Sequence, residues 1–202
     1  MWEFAKFSLN VCSLRRKLRQ MVLLPIPVLL VPYDPEWPIL AKIHSTRLSV
    51  LGSVLVIVHH IGSTSVPGLA AKPIIDLMPL VTSLSDLDRE RSRIETLGYG
   101  WHGELGIPGR RYCTLSDELG NRIVQLHFFT AKSPQVTRHL AFRDYLRAHP
   151  EEMKAYEKEK QRARDLYPEN SYAYTEEKAE WIRATETKAL AWLDLQQAEH
   201  HH

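Results

Sequence analysis

His60-Ile61-Gly62-Ser63-Thr64-Ser65-Val66-Pro67-Gly68-Leu69-Ala70-Ala71-Lys72-Pro73-Ile74-Ile75-Asp76 links two apolar runs, and the residues on either side of it set the architecture. The run that enters it, Val54 to Ile61, is β-branched and apolar and reads as a buried strand ending at a Gly62-Ser63 turn. The run that leaves it, Pro73 to Val81, is too short for a helix and is bounded by Pro73 and a Ser/Thr-rich stretch, so it reads as a second strand. A Gly-Ser turn leaving a strand lets backbone N–H groups come close to phosphate oxygens, and the hydroxyls of Ser63, Thr64 and Ser65 add donors. Lys72 adds a point charge for the same phosphates. Asp76 sits inside an apolar strand, where an ionised carboxylate is costly unless paired or bound to metal, and facing such a loop it suits Mg²⁺. The plainer alternatives are an ordinary loop with hydroxyl-to-backbone hydrogen bonds and a structural carboxylate held by that loop's amides.

Outward from this stretch, Tyr33-Asp34-Pro35-Glu36-Trp37-Pro38 is a turn-like entry to a helix over about 37–51, with Gly52 as its stop. After the second strand, Ser85 is read as the cap of a charged helix over about 86–97 that ends at Gly98. Tyr99 to His102, Arg110 to Ser116 and Arg122 to Thr130 read as strands, the last two joined through Asp117 to Asn121 as a hairpin. From Pro134 the chain reads as three helices with breaks near Pro150 and Pro168. This order predicts an α+β fold, a mixed β-sheet flanked by helices with a helical C-terminal portion.

The chain has 202 residues, 44% of them hydrophobic and 25% charged, which suits one domain with a core of its own. We read residues 1–20 as an N-terminal extension, disordered or preceding a native start at Met21, residues 21–198 as the domain, and 199–202 as a tag remnant. The net charge of +2 gives no general pull toward nucleic acid, which would need a local basic patch. Val22 to Val31 is ten residues long, broken by Pro25 and Pro27, and falls short of a membrane span of about 20 residues. Cys12 and Cys113 lie far apart with no CxxC pattern, so neither a disulfide framework nor a zinc site is indicated. The expected compartment is the cytoplasm.

An apolar residue, Gly, then Gly or Ser, followed after about a dozen residues by an acidic pair on the next strand, resembles nucleotidyltransferases of the polymerase-beta-like superfamily. The quoted stretch resembles the GrpB family signature almost residue for residue. The likeness extends through Tyr33-Asp34-Pro35-x-Trp37-Pro38, Leu126-His127, Phe142-Arg143-Asp144-Tyr145-Leu146-Arg147, and the spacing of Tyr156, Tyr174, Lys178 and Trp192, about residues 31 to 193 in all. It implies a nucleotidyltransferase-like sheet fold. One position departs from the superfamily pattern: two residues after Asp76, on the same strand face, stands Met78 and not a second carboxylate. Two-metal chemistry needs shared carboxylates, so Asp76 is left to support one Mg²⁺ or none.

Three further groups are candidates. In Arg122 to Thr130, Gln125 and His127 share a strand face, and His127 is read as a metal ligand, phosphate donor or general base, or else as a histidine satisfied within the sheet. Arg110 and Arg111 follow a Gly-Ile-Pro-Gly turn and are read as grips on nucleotide phosphates, or as a solvated hairpin edge. Arg143 and Arg147 share a helix face that either closes the cleft or forms internal ion pairs, Tyr172 and Tyr174 either stack on a base or pack, and Glu151 to Arg164 reads as a solvated helix face. Together these predict an enzyme that binds a nucleoside triphosphate with Mg²⁺ through Gly62, Ser63, Thr64, Ser65, Lys72, Arg110 and Arg111. Asp76 and His127 are its catalytic candidates, the acceptor is unspecified, and a homodimer is compatible with the sequence. The competing expectation is a nucleotide-binding or protein-interaction module without transfer chemistry.

Overall fold

The computed structural model describes residues 27–199, so the N-terminal extension and His200 to His202 of the tag remnant lie outside the described residues. The first helix, α1 (Trp37–Arg47), carries Pro38 in its first turn, where a missing N–H is harmless, and buries Trp37 and Ala41. It runs on as a 3₁₀ helix (Leu48–Val54) kinked at Gly52, whose φ of +56° lies in the region that favours glycine. Strands β1 (Leu55–Ile61) and β2 (Ile75–Val81) flank the quoted loop as an antiparallel pair. Next come α2 (Leu84–Arg89), α3 (Arg91–Thr96), the short β3 (Gly100–Trp101), β4 (Arg111–Ser116) and β5 (Arg122–Thr130). Four helices close the described chain: α4 (Pro134–Ala148), α5 (Pro150–Leu166), α6 (Ser171–Glu177) and α7 (Ala179–Glu199).

The sheet runs β1-β2-β5-β4-β3, with β2 and β5 parallel and the other neighbours antiparallel. The α+β class, the mixed sheet and the helical C-terminal portion are therefore as the sequence predicts. Several local expectations are corrected. Val54 to Ile61 is not a buried strand: among the described residues β1 is a sheet edge paired only with β2, and Val56 and Ile57 are about half exposed. The cap of α2 is Ser83, whose hydroxyl accepts from Asp86 N at 3.0 Å, because Ser85 already lies inside the first turn. The expected 86–97 helix is two short helices that meet at Glu90. The last expected helix is likewise split, since Asn170 caps α6 through the amides of Tyr172 and Ala173, and the chain turns again at Lys178.

Side-chain alternation divides the sheet's chemistry between its two faces. Ile75, Leu77 and Val81 of β2 and Val124, Leu126 and Phe128 of β5 enter the main core with Trp37, Ala41, Leu48, Leu87 and Ile94. The opposite face carries Asp76 and Met78 on β2 and Gln125, His127 and Phe129 on β5. Its far half is apolar, where Met78, Leu80 and Phe129 pack with Ile61 and Val136 beneath α4. Its near half is polar and is roofed by the loop and the C-terminal helices. Among the described residues no helix is long and apolar enough to cross a membrane.

Candidate functional site

Gly62 breaks the chain out of β1 at φ +69° and ψ −175°, a combination essentially restricted to glycine. A Cβ placed there would lie 2.4 Å from Asp76 Oδ2, so the turn brings bare backbone directly against the carboxylate. Ser63 to Ser65 form one 3₁₀ turn, whose opening N–H groups have no acceptor within the turn. Thr64 and Ser65 are buried, and their hydroxyls serve the loop itself. Ser65 Oγ donates to Gly62 O at 2.6 Å, while Thr64 Oγ1 lies 3.0 Å from His60 Nε2 and 3.4 Å from Ile74 O. Val66 and Leu69 then anchor the loop among Leu146 and Tyr156. From behind, Arg143 Nη1 donates to His60 O at 3.1 Å and Arg147 donates twice to Ser65 O at 3.0 and 2.6 Å. Asp144 pairs with both arginines, so this helix face combines ion pairing with support of the loop.

The loop, the polar half of the sheet and the C-terminal helices enclose a cavity of about 220 Å³. Ser63 and Asp76 line it, with Lys72 from the loop, Gln125 from β5, Tyr156 and Lys160 from α5, and Tyr174 and Lys178 from α6 and its end. Three ammonium groups thus share a pocket in which Asp76 is the sole carboxylate among the described residues. Lys160 is 2% exposed and Lys178 7%. Burial, reinforced by neighbouring lysines, pushes both amines down to about 7, and burial also lowers Lys72. Part of the charge is met within the protein: Lys160 donates to Ala70 O, and Lys178 sits 3.9 Å from the Tyr174 ring centre. Tyr156 lies against the Ser63 side chain, with its phenol pushed up to about 12 by burial.

Sequence reading missed Lys160 as a site residue, and the solvated-face expectation for 151–164 fails on one side of α5. Tyr156, Lys160 and Ala163 fall on one buried stripe, and a lysine there gives no apolar signal. Of the two tyrosines singled out earlier, Tyr174 is buried beneath the lysines and Tyr172 is about half exposed.

Asp76 and Gln125 are register partners on β2 and β5, and His127 Nε2 lies 3.4 Å from Asp76 Oδ1. Arg110 Nη1 is 3.4 Å from His127 Nδ1, while its other nitrogens donate to Glu104 O and Leu105 O. A guanidinium only donates, so the contact favours an unprotonated Nδ1 and an Nε2–H aimed at Asp76. Arg110 therefore reaches the site through His127, whereas Arg111 turns away, held by Asp88 at 2.7 and 2.8 Å. His60, at the start of the loop, is pushed down to about 4, chiefly by burial, and is neutral at pH 7.

Among the described residues a second carboxylate is not supplied from elsewhere. Met78 is fully buried in the apolar half of the face, Glu104 accepts from Gly109 N, and Asp117 is engaged in its own hairpin turn. Among the described residues no three His, Cys, Asp or Glu side chains are grouped to hold a metal. One carboxylate fits Mg²⁺ taken in with phosphate oxygens and waters, the way this ion is often bound, and does not fit a protein-held pair of ions.

A family model described as GrpB protein matches residues 27–188. UPF0157 protein YqkA of Bacillus subtilis is 38% identical over 165 residues, which is 81% of this chain and 47% of that protein, so the chain spans about half of that relative's length. Glutamate-rich protein GrpB of Alkalihalophilus pseudofirmus is 30% identical over 159 residues, 77% of this chain and 91% of that protein. The crystal structure of conserved protein GrpB from Enterococcus faecalis matches with a TM-score of 0.77 at 34% identity, covering 82% of this chain and 99% of that one. On the family match, the sequence relatives and the shared fold, the chain belongs to the GrpB family.

Proposed function

We propose that the pocket binds a nucleoside triphosphate with one Mg²⁺ and that the protein is a nucleotidyltransferase-like enzyme acting in the cytoplasm. The observation that carries this reading is the convergence of Lys72, Lys160 and Lys178 on the Gly62-Ser63 turn and Asp76. Three largely buried ammonium groups repel one another and lose hydration, so the pocket favours a ligand that brings several negative charges. A triphosphate does so, and the turn's opening N–H groups and Ser63 add uncharged donors.

The transfer would proceed by in-line attack of an acceptor hydroxyl on the α-phosphorus. The bond from acceptor oxygen to α-phosphorus forms as that oxygen's proton passes to solvent water, the bond from α-phosphorus to the bridging oxygen breaks, and pyrophosphate departs. The lysines stabilise charge as it accumulates on the leaving group. Asp76 would hold the Mg²⁺, whose chemistry is to offset phosphate charge and orient the chain. His127 aims its Nε2–H at Asp76 and fixes that carboxylate's orientation. Arg110 supports His127, Thr64 and Ser65 keep the loop in shape, and Arg111 takes no direct part.

A second reading, binding without transfer, is favoured by Met78 in the apolar core where a metal-sharing carboxylate would be needed. Isothermal titration with each nucleoside triphosphate, with and without Mg²⁺, followed by a product assay, tests both. Metal-dependent binding with turnover supports the enzyme, and binding without turnover supports the module. Asp76→Asn is expected to remove the Mg²⁺-dependent part of binding while leaving the lysine-driven part, and metal dependence that persists would refute the role of Asp76.

A further inference from the structure

The donors and rings of this pocket restrict its ligand further than a nucleoside triphosphate. In the charged form that an anion favours, Lys72, Lys160 and Lys178 only donate, and Gln125 offers its amide nitrogen as a donor while its Oε1 accepts from the Tyr112 hydroxyl at 2.8 Å. Asp76 is the one carboxylate in the lining among the described residues. A nucleobase edge carries both donors and acceptors and needs both to be read, whereas a phosphate chain carries acceptors alone.

The two tyrosine rings of the lining are also taken. Tyr156 is stacked on Trp181 at 4.8 Å and 9°, meets Phe142 edge-on at 5.7 Å, and has Lys160 4.8 Å from its centre. Tyr174 has Lys178 at 3.9 Å and Lys72 at 5.4 Å. Base stacking, the usual sequence-tolerant way of holding a nucleoside, therefore finds both tyrosine rings already covered by cations and neighbouring rings. At about 220 Å³ the cavity also falls below the range of roughly 300–1,000 Å³ that encloses drug-sized ligands.

Resting on the anion-binding reading above, we infer that the site recognises a linear triphosphate chain by its charge and length and makes no base-specific contact. The chain's source is a nucleoside triphosphate of any base or free inorganic tripolyphosphate, and any nucleoside lies outside the cavity.

The test is titration calorimetry of the full chain with ATP, GTP, CTP, UTP, inorganic tripolyphosphate and AMP at fixed Mg²⁺ and salt. The four nucleotides are expected to bind within about threefold of one another, tripolyphosphate within about tenfold, and AMP about a hundredfold more weakly. Lys72→Gln and Lys178→Gln should weaken all the triphosphates alike. One base preferred by more than about tenfold, or failure of tripolyphosphate to compete, overturns the inference and leaves nucleotide binding intact. Binding of tripolyphosphate with none of the nucleotides sustains the inference and overturns the nucleotide reading. Silence for all six overturns both.

Discussion

Triphosphate binding should carry a proton signature set by the buried lysines. In the ligand-free protein Lys160 and Lys178 each have a pKa of about 7, against an ordinary 10.5, with burial as the first cause and a neighbouring lysine as the second. At pH 8 each amine is then about one-tenth protonated, and a bound triphosphate that restores both charges takes up close to two protons. At pH 6 both amines are already charged and their uptake falls nearly to zero. Phosphate's second ionisation lies near pH 6, so the ligand contributes little at pH 8. The sign follows from linkage: binding favours the protonated lysines, so affinity falls as pH rises through 7, by up to about a hundredfold per unit near pH 8. Calorimetry at pH 8 in two buffers of different ionisation enthalpy, with Mg²⁺ held constant, reads the uptake directly, and Lys178→Met should reduce it by at least about one proton, because Lys160 also loses the neighbour that lowers its pKa. Uptake below about half a proton, with affinity flat between about pH 6.5 and 8.5, would refute the anion role of the two amines.

The same shifts act on folding: between about pH 7 and 10.5 the unfolded chain holds more protons on these lysines than the fold does. Ligand-free stability from this source therefore rises with pH across that window, readable as denaturation midpoint against pH. Gly62→Ala places a methyl group 2.4 Å from Asp76 Oδ2 at a backbone conformation that side chains avoid. It should cost about 2–4 kcal/mol and lower Tm by roughly 5–15 °C with loss of binding, and a Tm change under about 2 °C would contradict the packing described. Met78→Asp should unfold the protein, with a loss of at least about 3 kcal/mol by urea titration, because that position lies in the apolar core. A stable variant with gained metal affinity would show that the face tolerates a second carboxylate. Arg147→Ala removes two hydrogen bonds to Ser65 O and should lower stability by about 1–2 kcal/mol in the same titration, while an unchanged midpoint would show that the loop holds its shape alone.

Much of the fold is legible in local sequence because its signals are local. Pro38, Pro134 and Pro150 stand in first turns where a missing N–H does no harm, and they mark the starts of α1, α4 and α5. Arg122 to Thr130 alternates clearly enough to be read to its exact ends. The edge position of β1 was hidden, since its residues resemble those of a buried strand and exposure depends on what packs outside it. Ser83 rather than Ser85 as the cap turns on a two-residue shift in the backbone, which composition does not resolve.

The site divides along the same line. The Gly62 to Asp76 segment is contiguous, so its turn, hydroxyls and carboxylate are visible in sequence, and the β2 pattern alone places Asp76 and Met78 on one face. His127 lies 51 residues beyond Asp76, and its reach to that carboxylate comes from the parallel pairing of β2 with β5. Lys160 and Lys178 lie further still and sit among charged residues that resemble a solvated surface. Burial is a property of the whole packed chain, and helices α5 and α6 turn these two amines inward against Tyr156 and Tyr174. Sequence by itself thus determined the loop, its aspartate and the α+β order of elements, because neighbouring residues specify them. Tertiary structure alone decided that three lysines from distant segments meet there, because their shared charge and lost hydration exist only once the helices close over the sheet.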